Sequence, residues 1–399
     1  MKLHQNIVTG IIECLKLIFL ENKYTDDVLE KAFRNHKQWG SRDRKFIGNS
    51  VYECVRWWRL YSESCNIHDQ DSFQVEKVLA VHFIQNEIEI PAWYVINDFD
   101  MESIKKNLLE NSEIRKIKAS IPDWLDTMGS KELGDDRWST EINALNSVAS
   151  VVLRVNTLNS SIEELIESLA AQEIEVEEIP DYEDALVLKK RQVLSKLNEY
   201  QNGLFEIQDA GSQAIAPFLN AKPGMTVIDA CAGGGGKTLH LATIMQNQGT
   251  ITAMDIVEKK LENLKTRAQR AGTIIVNTCL VTEESIKNFA NTADRLLLDV
   301  PCSGLGVLKR NPDAKWKLSE TEIEDVKLTQ EKILDQYPAM LKSGGMLVYA
   351  TCSILPSENT EQVTKFLKKH PKQYQLLEEK QIWPSEGFDG FYMARLLKL

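Results

Sequence analysis

Residues 229–238 read DACAGGGGKT, and they overlap the end of the short apolar stretch TVIDA at 226–230. The order predicts a buried strand, a glycine-rich loop and the start of a helix. Further candidate strands and helices alternate along the rest of the chain. Such alternation predicts a parallel sheet with helices on both faces, and ligands of such sheets bind beyond the carboxyl ends of the strands. We therefore expect a doubly wound α/β domain with a ligand site at this loop.

The glycine loop has several interpretations. A P-loop requires G-x-x-x-x-G-K-[ST], and counting back from GKT at 236–238 puts Cys231 where the first glycine is needed. A dinucleotide fingerprint is weak inside a run of glycines. Asp255 follows Gly235 by about 20 residues at the end of the next predicted strand, where a carboxylate accepts hydrogen bonds from ribose hydroxyls. An unspecified adenosine compound is therefore predicted, and a loop that only packs helix on strand is the alternative.

Two cysteine motifs stand at the ends of later predicted strands. DVPCSG (299–304) ends one strand and TCS (351–353) ends the next. Because adjacent strand ends line one crevice in a doubly wound sheet, we expect Cys302, Cys352 and Asp299 to face the adenosine site. A buried cysteine is more often a small apolar residue than a nucleophile. Four others lie in helix or strand patterns and fit that description: Cys14, Cys54, Cys65 and Cys279.

The chain divides into three predicted domains. Residues 1–140 show apolar residues at helical spacing without strand-like alternation, which predicts an all-helical domain. Residues 141–205 combine strand candidates with one helix and predict a small α/β unit. Residues 206–399 contain the alternating strands and helices of the doubly wound sheet.

Composition limits the partners. No stretch offers the roughly 18 apolar residues of a membrane helix. Seven cysteines without a CxxC pair argue against disulfides and structural zinc, so we expect the reducing cytoplasm and no metal. The net charge of −11 argues against nucleic acid, but residues 31–60 hold eight Lys/Arg, two acids and three tryptophans. This segment is either a solvated helix face over a tryptophan core or a surface that binds RNA.

Three stretches resemble, in order, the motifs of the RNA 5-methylcytosine methyltransferases: DACAGGGGKT, LLLDVPCSGLGVLKRNPDAKW and LVYATCSILPSENTEQV. SRDRKFIGNSVYECVRWWR resembles the NusB-like helical domain that bacterial ribosomal members carry. IPDWL (121–125), LRVNTL (153–158) and QDAGSQ (208–213) also match in order. The resemblance covers nearly the whole chain. It implies a Rossmann-like class I methyltransferase domain preceded by a NusB-like domain and a small α/β RNA-binding unit.

The resemblance implies roles for the two cysteines. A thiolate that adds to C6 of cytosine raises electron density at C5, which can then attack a methyl sulfonium. The family gives the attacking thiolate to Cys352, product release to Cys302 and contact with the base to Asp299. A thiolate needs nearby positive charge, for which Lys237 and the pair Lys309-Arg310 are candidates.

S-adenosylmethionine is the implied cofactor, with Asp255 at its ribose and Asp299 beside the methyl donor. This chain departs from the family at Gly233-Gly234, where Ala-Pro is usual, and after the third strand, where CLVTEES lacks the usual Asp. Glu283, Glu284 or a backbone amide is then the candidate to contact the adenine. The predicted cofactor-binding loop comprises Cys231, Ala232, Gly233, Gly234, Gly235, Gly236 and Lys237.

Predicted RNA contacts come from Arg154 and Asn156 in LRVN, from Lys309 and Arg310, and from residues 31–60. For LRVN a core strand is the alternative. A base must leave its stack to react, so an RNA loop or unfolded segment is expected as substrate. We expect a monomeric enzyme that methylates C5 of a cytosine in small-subunit (16S) ribosomal RNA, with no membrane partner. The alternatives are the same chemistry on transfer RNA, a non-catalytic RNA-binding assembly factor, and an NAD-dependent oxidoreductase, which gives the cysteines no role.

Overall fold

The structure is a computed structural model that describes residues 3–67 and 74–399. It divides into two compact units. One comprises Met1–Ser147 with Leu308–Glu320, and the other comprises Val148–Val307 with Thr321–Leu399. The division differs from the predicted domains, because residues 308–320 belong with the helical unit and the predicted second and third domains lie largely in one unit. The predicted boundary at 140 also falls inside a helix.

The first unit is helical in the residues that the structure describes. Ile7, Ile11 and Leu15 recur at helical spacing and are buried on one face of the first helix, as amphipathic periodicity predicts. Trp39 is buried against Gly10, where a Cβ would lie 2.6 Å from the indole ring, so this tryptophan belongs to the core. The helices before residue 148 are α1 (Gln5–Leu20), α2 (Thr25–Asn35), α3 (Ser41–Arg56), α4 (Trp58–Ser64), α5 (Val75–Gln85), α6 (Met101–Asn111), α7 (Arg115–Lys118), α8 (Asp123–Leu133) and α9 (Asp135–Leu145).

The second unit begins with a small sheet. Its four strands are antiparallel in the order β2-β3-β1-β4, and they correspond to the small α/β unit predicted from the sequence. Apolar side chains of β1 and β3 pack under one helix, with Leu153, Leu165 and Leu186 fully buried. The elements are β1 (Val152–Val155), α10 (Ile162–Ala170), β2 (Val176–Ile179), β3 (Tyr182–Leu188), α11 (Asn198–Gln201) and β4 (Phe205–Ile207).

A seven-stranded sheet follows in the order β10-β11-β9-β8-β5-β6-β7. Five strands, β5 to β9, are parallel, as the sequence predicts. The last two run antiparallel and were not predicted. The strands are β5 (Thr226–Asp229), β6 (Thr250–Asp255), β7 (Val276–Leu280), β8 (Ala293–Asp299), β9 (Leu341–Thr351), β10 (Tyr374–Ile382) and β11 (Phe391–Lys398).

Helices cover both faces of this sheet. Leu296 and Leu298 of β8 pack into one apolar cluster and Leu297 packs into the other, because successive side chains of a strand point to opposite faces. Burial on both faces explains why the strands read as continuous apolar runs. The further helices of the second unit are α12 (Ala210–Gln213), α13 (Ile215–Phe218), α14 (Gly236–Ile244), α15 (Glu258–Arg270), α16 (Glu283–Asn288), α18 (Glu320–Gln336) and α19 (Thr360–Lys369). The remaining helix, α17 (Ala314–Lys317), belongs to the first unit.

Residues 308–320 are held in the first unit by buried polar contacts. The Trp316 indole N–H donates to the Val55 carbonyl at 2.7 Å, and Asp313 accepts from the Thr25 N–H at 2.8 Å. Lys315 Nζ donates to the Arg56 carbonyl at 2.7 Å. Burial, and then the charge of Arg56, holds the pKa of Lys315 well below its ordinary value. The segment is thus an integral part of the helical core.

Candidate active site

The loops after β8 and β9 meet at the carboxyl ends of two adjacent parallel strands. Cys302 Sγ lies 3.2 Å from Cys352 Sγ, and the Cys352 backbone N–H lies 3.3 Å from Cys302 Sγ. Both thiols are free and partly exposed. Strand order alone predicted that these side chains would share one crevice, and the structure brings them together. Their individual roles stay predictions.

An ion pair lies beside the cysteine loops. Lys237, in the first turn of α14, places Nζ 2.6 Å from Oδ2 of Asp299, the last residue of β8. Burial alone lowers the pKa of Lys237, but Asp299 and the negative charge on Cys352 outweigh burial, and the pKa is raised above its ordinary value. Lys237 is therefore a fixed positive charge at this site, as the sequence analysis required for a thiolate.

The environment of Cys302 favours its protonated form. Its contact with Cys352, then burial, then the negative charges of Cys352 and Glu358 raise the pKa of the Cys302 thiol well above its ordinary value. Two sulfur atoms in contact thus have unequal surroundings. The negative charge of Glu358 helps to raise the pKa of the Cys302 thiol, while negative charge on Cys352 helps to raise the pKa of Lys237.

The glycine loop is held by two aspartates. Oδ2 of Asp255 accepts from the Gly233 N–H at 2.9 Å, while Oδ1 accepts from the Val257 N–H at 2.8 Å. The Thr238 hydroxyl donates to Asp229 at 2.7 Å, and burial raises the pKa of Asp229 to about 7. This preformed loop opens onto the N-terminus of α14, where backbone N–H groups are available to a ligand.

Gly235 is required by its surroundings. Its φ is +86°, and a Cβ would lie 2.5 Å from Leu264 Cγ. Among the predicted loop residues, Gly235 is buried and Gly234 is exposed. The remaining members are half-buried: Cys231, Ala232, Gly233, Gly236 and Lys237.

The candidate for the adenine lies one strand further along the sheet. Glu283 is exposed in the first turn of α16, which follows β7. The Val281 N–H donates to the Asp255 carbonyl at 3.0 Å, so the end of β7 adjoins the end of the strand that carries Asp255. Contact of Glu283 with adenine stays a prediction.

Arg154 and Asn156 are interior residues, so the prediction that they contact RNA is wrong. Arg154 is 1% exposed, and its guanidinium donates to the Gln208 side chain and, at 2.6 Å, to the Gly236 carbonyl. The Asn156 amide donates to the carbonyls of Gly203 at 2.7 Å and Ala271 at 2.9 Å. Burial lowers the pKa of Arg154 to about 10. Both side chains satisfy buried backbone groups, and Arg154 supports the start of α14.

Lys309 is also wrongly predicted as an RNA contact. It is 5% exposed within the segment that belongs to the helical unit, and its carbonyl accepts from Arg56 Nη2 at 3.1 Å. Arg310 is half-buried, and its contact with RNA stays a prediction.

Two features of the site were missed by sequence reasoning. The Gly306 N–H donates to the Cys352 carbonyl at 2.9 Å, and the Gly390 N–H donates to the Gly306 carbonyl at 2.8 Å. A buried carboxylate, Glu358, hydrogen-bonds the residue that follows each cysteine. Glu358 lies in the quoted motif LVYATCSILPSENTEQV, which was the available signal.

The described residues contain neither a membrane-spanning helix nor a group placed to hold a metal ion. Across 3–67 and 74–399, no helix has the length and apolarity to cross a bilayer. Within the same ranges, no group of three or more His, Cys, Asp or Glu side chains is placed to hold a metal ion.

Comparisons with known proteins agree with this architecture. A family described as 16S rRNA methyltransferase RsmB/F matches residues 216–397, and a ferredoxin-like domain of RsmF/B-like methyltransferases matches residues 121–194. The probable ribosomal RNA small subunit methyltransferase B of Synechocystis sp. is 30% identical, over 94% of this chain and 90% of that protein. This chain belongs to the RsmB/F family of 16S rRNA methyltransferases. Enzymes of the RsmB/F family methylate RNA with S-adenosylmethionine.

Other relatives support the same family. Ribosomal RNA small subunit methyltransferase B of Yersinia pseudotuberculosis is 33% identical over 76% of this chain and 72% of that protein. The crystal structure of PH0851 superposes with a TM-score of 0.80 at 25% identity, over 100% of both chains. A methyltransferase homologue from Pyrococcus horikoshii has a TM-score of 0.64 at 26% identity, over 71% of this chain and 98% of that one. The Rossmann-like methyltransferase fold is thus shown, whereas likeness of the helical unit to NusB stays a prediction.

Proposed function

We propose that this chain transfers the methyl group of S-adenosylmethionine to C5 of a cytosine in 16S ribosomal RNA through a covalent cysteine adduct. The observation that carries the proposal is the 3.2 Å separation of Cys302 Sγ and Cys352 Sγ beside the Lys237–Asp299 ion pair. A non-catalytic RNA-binding factor with this fold would have no use for two thiols at adjacent strand ends.

Each cysteine has one step in the proposed reaction. The Cys352 thiolate forms a bond to C6, and the electron pair of the C5–C6 double bond is pushed towards N3. C5 then forms a bond to the methyl carbon while the methyl–sulfur bond of the donor breaks, leaving S-adenosylhomocysteine. The C5 proton is then transferred to solvent, the electron pair of that C–H bond re-forms the C5–C6 double bond, and the C6–sulfur bond breaks to return the Cys352 thiolate. Cys302 assists this release, because its sulfur is in contact with the sulfur that departs.

Lys237 and Asp299 supply the electrostatics of the proposed reaction. Asp299 contacts the base, and the Lys237 ammonium that it holds at 2.6 Å stabilises negative charge on Cys352 and on the base as the adduct forms. Because both groups are largely buried, their charges are less screened than they would be in water. The ion pair also joins the cofactor loop to the cysteine crevice.

The cofactor fits the loop as observed. Each carboxylate oxygen of Asp255 accepts a hydrogen bond from one backbone N–H group, and each retains a lone pair for a ribose hydroxyl. Gly233 and Gly234 have no Cβ to obstruct an approaching ligand. We propose that the adenosine lies across Asp255 and Glu283, with Asp299 beside the methyl group. The supporting set is Cys231, Ala232, Gly233, Gly234, Gly235, Gly236, Lys237, Asp255, Glu283 and Asp299.

For RNA contacts we propose the exposed basic residues of the helical unit. Arg56 is buried and Arg59 bonds the Ile121 carbonyl, so neither is placed for an outside ligand. Five others between residues 31 and 45 are exposed: Lys31, Arg34, Lys37, Arg42 and Lys45. They supply local positive charge on a chain whose net charge is −11. We further propose that the enzyme acts as a monomer in the cytoplasm, and its free cysteines suit a reducing compartment.

Adduct trapping tests the proposal. Incubated with S-adenosylmethionine and 16S ribosomal RNA, Cys302→Ala should accumulate a protein–RNA band on a denaturing gel, because the adduct forms but is not released. Cys352→Ala should neither methylate nor form the band, and the double variant should behave like Cys352→Ala. Cys65→Ala is the matched control and should methylate normally. Methylation by Cys352→Ala would contradict the proposal. Bisulfite sequencing of the RNA identifies the cytosine.

A further inference from the structure

Glu358 forms the centre of a buried polar cluster under the two cysteine loops. It ends a single 3-10 turn (Pro356–Glu358) and is fully buried. Its Oε2 accepts from the Ser303 N–H at 2.8 Å and from Gln330 Nε2 at 3.0 Å, and its Oε1 accepts from the hydroxyls of Ser303 and Ser353. An ionised carboxylate has about four acceptor positions, so these four donors fill it.

Three of the four donors come from the loops that carry the catalytic sulfur atoms. Ser303 directly follows Cys302, and Ser353 directly follows Cys352. Gln330 of α18 also donates to the Pro301 carbonyl at 2.9 Å, so it joins the same carboxylate to the residue before Cys302. In the part of the chain that the structure describes, no lysine or arginine is paired with Glu358. The cluster therefore depends on hydrogen-bond donors alone.

We propose that Glu358 is a positioning residue whose carboxylate fixes the two cysteine loops to each other, so that both sulfur atoms reach one cytosine. The proposal rests on the two-cysteine reaction proposed above and assigns a function to a residue outside it. Glu358 touches neither sulfur atom. It acts through Ser303 and Ser353, and its effect is the relative placement of Cys302 and Cys352.

Two substitutions at position 358 test whether the shape and hydrogen bonds of the side chain, rather than its negative charge, place the cysteine loops. Glu358→Ala removes all four acceptor contacts and leaves the two loops joined only by direct bonds such as that between the Ser303 and Ser353 hydroxyls at 3.2 Å and that from the Gly306 N–H to the Cys352 carbonyl. Glu358→Gln keeps the shape, because its carbonyl oxygen can accept from the Ser303 N–H and from Gln330, while its amide can donate to serine hydroxyls that turn to accept. If Glu358 acts by positioning, Glu358→Gln should therefore retain the methylation activity that Glu358→Ala loses.

The first measurement is steady-state methylation of 16S ribosomal RNA. We expect kcat of Glu358→Ala to fall about 100-fold, because misplacement of a reacting group by about 1 Å costs that much. KM values should change less than twofold, and Glu358→Gln should stay within about fivefold of the wild type. Glu361→Ala, an exposed glutamate three residues further on, is the matched control. If Glu358→Ala does not fold, Ser353→Ala takes its place, with kcat expected to fall about tenfold.

The second measurement does not depend on methylation. Diamide takes up two electrons and two protons as two thiols form a disulfide, and mass spectrometry quantifies the Cys302–Cys352 peptide. With the sulfur atoms 3.2 Å apart, wild type and Glu358→Gln should crosslink rapidly, and Glu358→Ala or Ser353→Ala at least tenfold more slowly. Equal rates in all variants, or loss of activity in Glu358→Gln equal to that in Glu358→Ala, would overturn the inference. Slow crosslinking of the alanine variant in a protein that methylates no cytosine would uphold the positioning role and refute the proposed function.

Discussion

Lys237 Nζ lies 2.6 Å from Asp299 Oδ2, so one ion pair joins the first turn of α14 to the end of β8. These two elements carry the glycine loop and the first cysteine motif respectively. The glycine loop and the cysteine crevice are therefore joined by a largely buried contact. Removal of either charge leaves the other buried without its partner, which is more costly than loss of an exposed ion pair.

Lys237→Met should reduce kcat for methylation by about 100-fold or more, because a preorganised charge at a reacting centre is worth a few kcal/mol. The same variant should react more slowly with iodoacetamide at Cys352 at pH 7, since the positive charge that favours the thiolate is gone. Peptide mapping after alkylation measures the second effect without RNA. Lys332→Met, an exposed lysine of α18, is the control. Unchanged alkylation of Cys352 would remove Lys237 from its role at the thiolate.

Asp255→Ala should weaken S-adenosylmethionine binding about 10- to 100-fold, since hydrogen bonds to a charged group contribute about 1.5–3 kcal/mol. Part of the loss arises within the protein, because the Gly233 N–H also loses its acceptor. Isothermal titration calorimetry measures the dissociation constant. Glu262→Gln, on the exposed face of α15, should bind normally. An affinity equal to that of wild type would show that this carboxylate does not hold the ribose.

Gly306→Ala should slow methylation while leaving S-adenosylmethionine binding intact. A Cβ at this position would lie 2.2 Å from the Gly390 carbonyl oxygen and 2.8 Å from that of Cys352, so the backbone beside Cys352 must shift. We expect a loss of stability of about 1–3 kcal/mol and a fall in kcat of about tenfold or more. Gly48→Ala, where a Cβ meets only Phe33 at 3.8 Å, is the control and should be neutral or slightly stabilising. Full activity of Gly306→Ala would show that Cys352 tolerates displacement.

The pH dependence of stability should contain a contribution from Asp229. Burial raises the pKa of its carboxyl from 3.8 to about 7, so the folded protein binds more protons than the unfolded chain between these values. The resulting stabilisation is complete below about pH 4 and is lost as the pH rises through about 7. Asp229→Asn, which cannot titrate, should lack this decline.

Urea unfolding of both proteins at several pH values measures the Asp229 effect. The difference in unfolding free energy between wild type and Asp229→Asn should change by a few kcal/mol between pH 4 and 7.5, in favour of the variant at higher pH. His82 and His240, whose pKa values burial lowers to about 4, titrate in the opposite sense but equally in both proteins. Parallel pH profiles would contradict the raised pKa.

The parallel strands could be predicted from the sequence because they are regular runs of apolar residues. The parallel strands β5 to β9 are runs of apolar residues buried on both faces, and their order alone brought Cys302 and Cys352 to one crevice. The edge strand β10 was missed because YQLLEEKQI (374–382) exposes most of its side chains and shows no strict alternation. Periodicity cannot identify an edge strand of that kind.

Polar residues were harder to place. An arginine in an apolar strand is expected to reach the surface, yet Arg154 is buried because the Gly236 carbonyl and Gln208 accept from its guanidinium. Lys309 was predicted to contact RNA, but it is buried and its segment packs in the helical core. Glu358 was overlooked because spacing does not reveal that four donors surround its carboxylate. Each case depends on partners that are distant in sequence.

The path of residues 308–320 limits how this protein can be divided. A cut after residue 147 would separate Trp316, Lys315 and Asp313 from the backbone groups to which they hydrogen-bond. It would also expose Lys315, which is buried in the intact unit, to water. The segment begins six residues after Cys302, so the chain runs directly from the first cysteine loop into it. A chimera that exchanges the helical unit for that of a relative must therefore also exchange this thirteen-residue strip, or the graft will lack part of its own core.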